Sequence, residues 1–321
     1  MKIGPKLIGS FSIVAIICGI VGFVGWYGIG QVDEHMDEIG AVRLPAIQAA
    51  MTMDAIMGDV ATAQMELLNV NGSIEEALGQ YEAINEAFVE IESAAEDFQK
   101  LIADAEEERI FNEVMTNFNE FKAAANEFVN RSKQLDELGI RNPMKLIAEI
   151  SEIENAHREW LFQLNETVVE KVDFEGEIDP DKCPLGIWMK EFNLNNKTIL
   201  SSMETLKTYH NSLHATVPEI NDIYNRSKND MAAAAVMDVF DEKSMPAMDQ
   251  VVAQIDGVIN AEGQKAYAIY QDMDRLDMEV LEPKFDQVMA LLEELNSDVD
   301  TGANEAREEG DAAAVEFTYG F

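Results

Sequence analysis

One cysteine and three histidines stand apart in this sequence as groups that could together hold a metal ion. Cys183 lies in Asp179-Pro180-Asp181-Lys182-Cys183-Pro184-Leu185-Gly186-Ile187-Trp188 and is the only cysteine outside the first thirty residues. His157 and Trp160 precede it, one turn apart, and Tyr209-His210-Asn211-Ser212-Leu213-His214 follows. His210 and His214 are related as i and i+4, so a helix presents both imidazoles on one face. Singly, such a histidine is ordinarily solvated or hydrogen-bonded, and a buried cysteine acts as a small hydrophobe. Together they supply one thiolate and three imidazoles, a complete tetrahedral zinc set. The donor mixture favours zinc over copper, nickel or iron, although imidazole-rich sites also accept those ions. Four protein ligands leave no open position of the kind that metal-assisted hydrolysis needs.

The elements that must position these groups read as helices throughout. Ala, Glu, Met, Leu and Ile dominate after the first thirty residues, and no run alternates β-branched residues between hairpin turns. The spacing predicts a helix over 44–68 with Ile47, Met51, Ile56, Val60, Met65 and Leu68 on its buried stripe. Ser73 and Glu76 form a capping box ahead of a second helix, whose seam runs Tyr81, Ile84, Phe88, Ile91, Ala95, Phe98 and Ile102. A third, over 106–138, presents Ile110, Val114, Phe118, Phe121, Ala125 and Phe128. These Met and Phe stripes are core positions rather than a cofactor box. Breakers at 139–143 begin a second group of helices: 143–172, a short one at 185–192, one from 197 through His214, then 231–240 and 246–259. Pro218 starts or kinks a turn without ending the bundle. A final helix spans 261–300 with a kink at Pro283, and the acidic, alanine-rich tail 301–321 is expected to be loosely held unless its aromatic end docks.

Formal charge is −38, which argues against nucleic acid because such a surface repels phosphate and draws in cations. Most of these carboxylates read as a solvated acidic face. Residues 7–27, with Leu7 at one end and Tyr27 at the other, carry no charge, and match the ~20 residues needed to cross a bilayer. Lys2 and Lys6 precede this run and Asp33, Glu34, Asp37 and Glu38 follow. The positive-inside rule therefore expects a cytoplasmic N-terminus and an exterior remainder. A cleaved signal peptide is the competing reading, but the run is long for one and lacks a clear small-x-small site. Small residues at Ala15/Gly19 and Cys18/Gly22 permit close helix pairing and hence a homodimer or higher oligomer. No second apolar span follows, so the chain is expected to end on the side where it emerged. Cys18 and Cys183 are not expected to form a disulfide within one subunit, and His35 has no partner nearby in sequence.

Over residues 144–259, the order His157-x-x-Trp160, Cys183-x-x-Gly186-x-Trp188, His210-x-x-x-His214 resembles the chemoreceptor zinc-binding domain. Residues 1–138, with the Leu44-Pro45-Ala46 entry, resemble the four-helix-bundle sensor region of bacterial methyl-accepting chemotaxis receptors. The resemblance implies zinc on His157, Cys183, His210 and His214, with Trp160 and Trp188 packed around it. It also implies an inner-membrane protein whose remainder is periplasmic. Five segments follow: stub and transmembrane anchor 1–30, sensor bundle 31–141, metal-binding bundle 142–259, C-terminal helix 260–300 and acidic tail 301–321. A receptor's cytoplasmic signalling hairpin is not expected in this chain, so a separate signalling or envelope protein would receive its state. Two functions fit: a membrane-anchored metal or oxidant sensor, or a structural subunit of an envelope assembly in which metal only staples the fold. An enzyme is not expected, since no Ser/His/Asp set, phosphate-cradling glycine loop or haem CxxCH is present.

Overall fold

A computed structural model describes residues 3–319. The charge asymmetry read at Lys2 and the aromatic end at Gly320 and Phe321 lie outside the described residues. Among the described residues there is no strand, and eleven α-helices carry the fold. They are α1 Ile3–Glu38, α2 Leu44–Leu68, α3 Ile74–Gln99, α4 Ala105–Leu138, α5 Pro143–Glu170, α6 Pro184–Glu191, α7 Lys197–Arg226, α8 Asp230–Val239, α9 Met245–Gln254, α10 Ala261–Leu276 and α11 Glu282–Tyr319.

Wide π-helical turns separate several of these helices where loops would ordinarily be expected. They fall at Ile39–Arg43, Phe240–Ser244, Ile255–Asn260 and Asp277–Leu281. Three lead directly into a helix whose second residue is proline, at Pro45, Pro246 and Pro283. Proline offers no N–H and crowds the carbonyl four residues back, and an i→i+5 turn just ahead of it relieves both. Ile255–Asn260 has no such proline. Pro218 stays inside α7.

The chain forms two compact units. Unit 1 comprises Met1–Gln64, Gln80–Ala125 and Met278–Phe321; unit 2 comprises Met65–Gly79 and Asn126–Asp277. Each gathers residues distant in sequence.

In unit 1 a phenylalanine core joins α3, α4 and α11. Phe88 sits edge-on to Phe118 and Phe121, and Phe121 meets Phe285 at 6.2 Å between centroids. The α4 seam is buried as its spacing predicts, and so is the α3 seam from Tyr81 to Phe98, whereas Ile102 lies past the end of α3 and is only half-buried. On α2 the expected Ile56 and Val60 are buried, but Met51 and Met65 are exposed, and Ala46, Ala50, Met53, Met57 and Leu67 are buried in their place. Small alanines at close helix contacts, invisible to a search for large apolar residues, set the true phase. The tail is corrected too, because α11 runs unbroken through Tyr319, with Ala306 buried and Gly310 against His35.

A buried ion pair anchors the end of α1. The Arg43 guanidinium donates to the carboxylate of Glu107, whose second oxygen accepts the Ala103 N–H at 2.7 Å. Gly302 of α11 lies so close to the guanidinium that a Cβ there would overlap it. Removing one partner of such a pair leaves an uncompensated charge, at a cost of ~3–5 kcal/mol, whereas a partly exposed pair contributes about 1 kcal/mol or less. Glu107→Ala should therefore lower the thermal midpoint, followed by circular dichroism in detergent, far more than Glu92→Ala, which breaks the more exposed pair with Lys122.

Candidate metal centre

Unit 2 brings the four sequence-predicted ligands together. His157 lies on α5, Cys183 caps the N-terminus of α6, and His210 and His214 occupy one face of α7. All four residues are buried, and their ligand atoms lie within 4.8 Å of one another. His157 Nε2 is 3.2 Å from His210 Nε2, and Cys183 Sγ is 3.6 Å from the former and 3.0 Å from the latter. A tetrahedral zinc with ordinary bond lengths requires edges of about 3.3 Å between nitrogens and about 3.6 Å between nitrogen and sulfur. The His157–His210 and Cys183–His157 edges match these values, and the Cys183–His210 edge is shorter.

For His157 and His214 the backbone selects which ring nitrogen is offered. Nδ1 of His157 is 2.9 Å from the Ile153 carbonyl, and Nδ1 of His214 is 3.1 Å from that of Ile178. A carbonyl only accepts, so each Nδ1 carries the proton and each Nε2 keeps a lone pair. His214 Nε2 is buried without a hydrogen-bond partner. An orphaned lone pair of this kind fits a cation, and the donor set as a whole fits zinc.

Cys183 owes its position to a tight turn. Asp179 accepts the Asp181 N–H at 3.0 Å, the chain reverses, and Pro184 occupies the first position of α6. Cys183 Sγ accepts the Gly186 N–H at 3.4 Å. Gly186 packs onto the Pro180 carbonyl so closely that any Cβ would collide with it. Behind the cluster, Trp160 donates its indole N–H to the Glu177 carbonyl at 2.7 Å and lies 4.8 Å from the His214 ring and 5.1 Å from Phe174.

Trp160 packs on the His214 ring, and Trp188 lies on α6 beyond Cys183. Its ring neighbour is Phe192, at 4.8 Å. The carbonyls of Ile153, Ile178 and Glu177, which fix tautomer and ring pose, leave no mark in the sequence because every residue has one.

Burial dominates the electrostatics. It holds His210 down to about 3, with repulsion from protons on His214 and His157 adding to the effect. It also lowers His157 and His214, against their carbonyl hydrogen bonds, and pushes the Cys183 thiol up. All three imidazoles are therefore ready as neutral ligands at neutral pH.

The chain matches the four helix bundle sensory module for signal transduction over residues 1–174, more than half its length. It belongs to that family. No curated protein and no solved structure matches it. The sensory-module match includes His157 and stops before Cys183, His210 and His214. Helix α1, apolar and exposed over the span expected to cross a bilayer, agrees with a membrane-anchored sensor of the chemoreceptor kind.

The histidine shifts set a pH window for the metal-free protein. Imidazoles held below their unfolded value of about 6.5 contribute stability that is complete above that pH and is lost as pH falls, because only the unfolded chain then gains protons. The raised thiol acts oppositely, its contribution falling away above about pH 8.5. Chelator-treated protein should melt lower at pH 5 than at pH 7.5, and replacing His210 by Gln should flatten that difference.

Proposed function

We propose that this chain is a membrane-anchored sensory module whose state is set by one zinc ion held by His157, Cys183, His210 and His214. The convergence of three imidazoles and one thiol in a buried cluster carries the reading, because an apolar interior otherwise penalises so many polar groups, and His210 Nδ1 and His214 Nε2 have no hydrogen-bond partner. When bound, the ion supplies the positive charge that keeps the thiol deprotonated at neutral pH.

The chain's own residues convert that charge into conformation. Cys183 caps α6, His157 sits midway along α5, and the histidine pair occupies the middle of α7. Three elements that otherwise meet through side-chain packing are thereby tied at one point, and loss of the tie loosens α6 first, since it is the shortest of them and rests on the 171–183 loop. A thiolate here is also the group open to oxidants, so metal and oxidant act on the same residue.

The charge order around residues 7–27 supports a cytoplasmic N-terminus with the sensory part outside the inner membrane. Leu44, Met51 and Val89 are exposed apolar residues on the unit 1 surface, a pattern that supports pairing with a second copy. A separate signalling or envelope protein would receive the sensed state.

Elemental analysis of the purified chain tests the central claim. About one zinc per chain is expected, falling to near zero in Cys183→Ala and in His210→Ala, with helical content retained. Gly186→Ala should lower zinc content although it removes no ligand, because it displaces the turn that holds Cys183. Full-length protein without metal after reconstitution with zinc would overturn the proposal.

A further inference from the structure

All four residues of the metal cluster are buried, so an ion can reach them only where the fold opens. His157, His210 and His214 lie inside α5 and α7, where opening would break helix hydrogen bonds on both sides. The segment between Glu170 and Pro184 has no helix to hold it. Its carbonyls instead lie against the site. That of Glu177 accepts the Trp160 indole N–H at 2.7 Å, that of Ile178 is 3.1 Å from His214 Nδ1, and that of Pro180 accepts from the Cys183 thiol at 3.3 Å. Phe174, buried 5.1 Å from the Trp160 ring, pins the start of the segment, so residues 175–182 cover the cluster through those three bonds.

The side chains of this cover are acidic. Asp173, Glu175, Glu177, Asp179 and Asp181 occupy every second position, and all but the half-buried Asp179 are exposed. Lys228, Lys182 and Lys190 pair with Asp173, Asp179 and Asp181 at 3.5, 3.1 and 3.5 Å. Glu175 and Glu177 form no ion pair among the described residues. The Glu177 carboxylate is held in place by accepting the Asp179 N–H at 2.8 Å, and it lies close enough for its charge to act on both Cys183 and His214. Behind the cover His214 is only 1% exposed, and its Nε2 has no hydrogen-bond partner. A buried, unsatisfied lone pair directly beneath unpaired carboxylates gives those carboxylates a cation to deliver.

Building on the metal reading, we infer that residues 175–182 are the entrance to the centre: Glu175 and Glu177 capture a divalent cation from solvent, and the three backbone bonds part to admit it to Cys183 and His214. Two exposed carboxylates attract a doubly charged ion at a distance but hold it weakly, because water competes for it. The buried thiol and imidazoles hold it without that competition. Cys183 loses its proton to solvent as it takes its place as a ligand. Charge of this kind raises the rate of arrival, by tenfold or more where it is focused on one opening. It leaves the four ligands, and so the stoichiometry, unchanged.

Stopped-flow uptake of cobalt(II) by the chelator-treated full chain in detergent tests this, followed by thiolate-to-cobalt absorbance. Glu175→Gln combined with Glu177→Gln keeps the acceptor for the Asp179 N–H and should slow uptake at low salt by about tenfold, with one ion still bound per chain. Rising salt should narrow that gap. Glu82→Gln combined with Glu86→Gln, both exposed on α3, makes the same change in total charge and should leave the rate nearly unaltered. Trp160→Phe removes one of the three closing bonds and should speed uptake and chelator-driven release together, each about fivefold. Mere loss of packing would instead lower the metal content. Uptake by the Glu175 and Glu177 double variant at the native rate, equal slowing by the α3 pair, or Trp160→Phe with lowered metal content and no faster uptake would overturn the inference and leave the metal reading standing. Neither cobalt nor zinc bound by the native chain would overturn both.

Discussion

Unit 1 depends on the return of α11. Helices α2, α3 and α4 each bury one apolar stripe, and a stripe must be covered by a partner to be worth burying. Phe285, Val288, Leu292 and Leu295 lie on α11, and all but the partly exposed Phe285 are buried. They come from more than 150 residues beyond the phenylalanines of α4 that Phe285 helps to cover. Surface pairs such as Arg109 with Glu294 and Lys284 with Glu120 fix register more than they stabilise. All of unit 2 beyond the α4 segment is interposed in sequence before this helix, so unit 1 can close only after the chain has passed through the second core.

Unit 2 has its own apolar centre, in which Trp160, Leu164, Val168, Leu213, Val217, Ile220 and Tyr224 pack together with residues of α8 and α9. The histidine and cysteine cluster sits at the edge of that centre. Water exclusion by the surrounding side chains makes a proton on any of the imidazoles unfavourable, and the same exclusion strengthens the attraction of neutral nitrogen donors to a multivalent cation. One environment thus rejects a small charge that merely titrates and suits a larger one that is coordinated. Asn196 organises polar groups on another side of unit 2. It caps α7 through the Ile199 N–H at 2.7 Å and donates to the Leu138 carbonyl and to Glu262.

Much of this was legible in the sequence, for identifiable reasons. Helix spans were readable because the phenylalanine and isoleucine steps of α3 and α4 are regular, and because Ser73 and Glu76 form the reciprocal capping hydrogen bonds their spacing implies. The four candidate ligands were readable because cysteine and histidine are scarce here. What escaped detection was carried by backbone or by small residues: the alanines that set the phase of α2, the carbonyls that fix the His157 and His214 rings, and the wide turns that link helices without a loop. The continuation of α11 through an alanine-rich acidic stretch was missed for a related reason. Ala306 and Gly302 pack closely because they lack bulk, and bulk is what a periodicity search detects.

The wide turn at Ile39–Arg43 has a mechanical consequence. Backbone hydrogen bonding continues from the apolar segment of α1 through this turn into α2, with Leu44 still helical and its N–H bonded to the Ile39 carbonyl. No flexible joint lies between the bilayer-length stretch and Met53, Met57 and Val60 in the bundle interior, all of which are almost fully shielded from solvent. Torque applied to the first segment about its long axis therefore cannot dissipate in a loop. It must either rotate that interior row of side chains against its neighbours or be resisted by the clamp that Arg43 forms with Glu107 beneath Gly302.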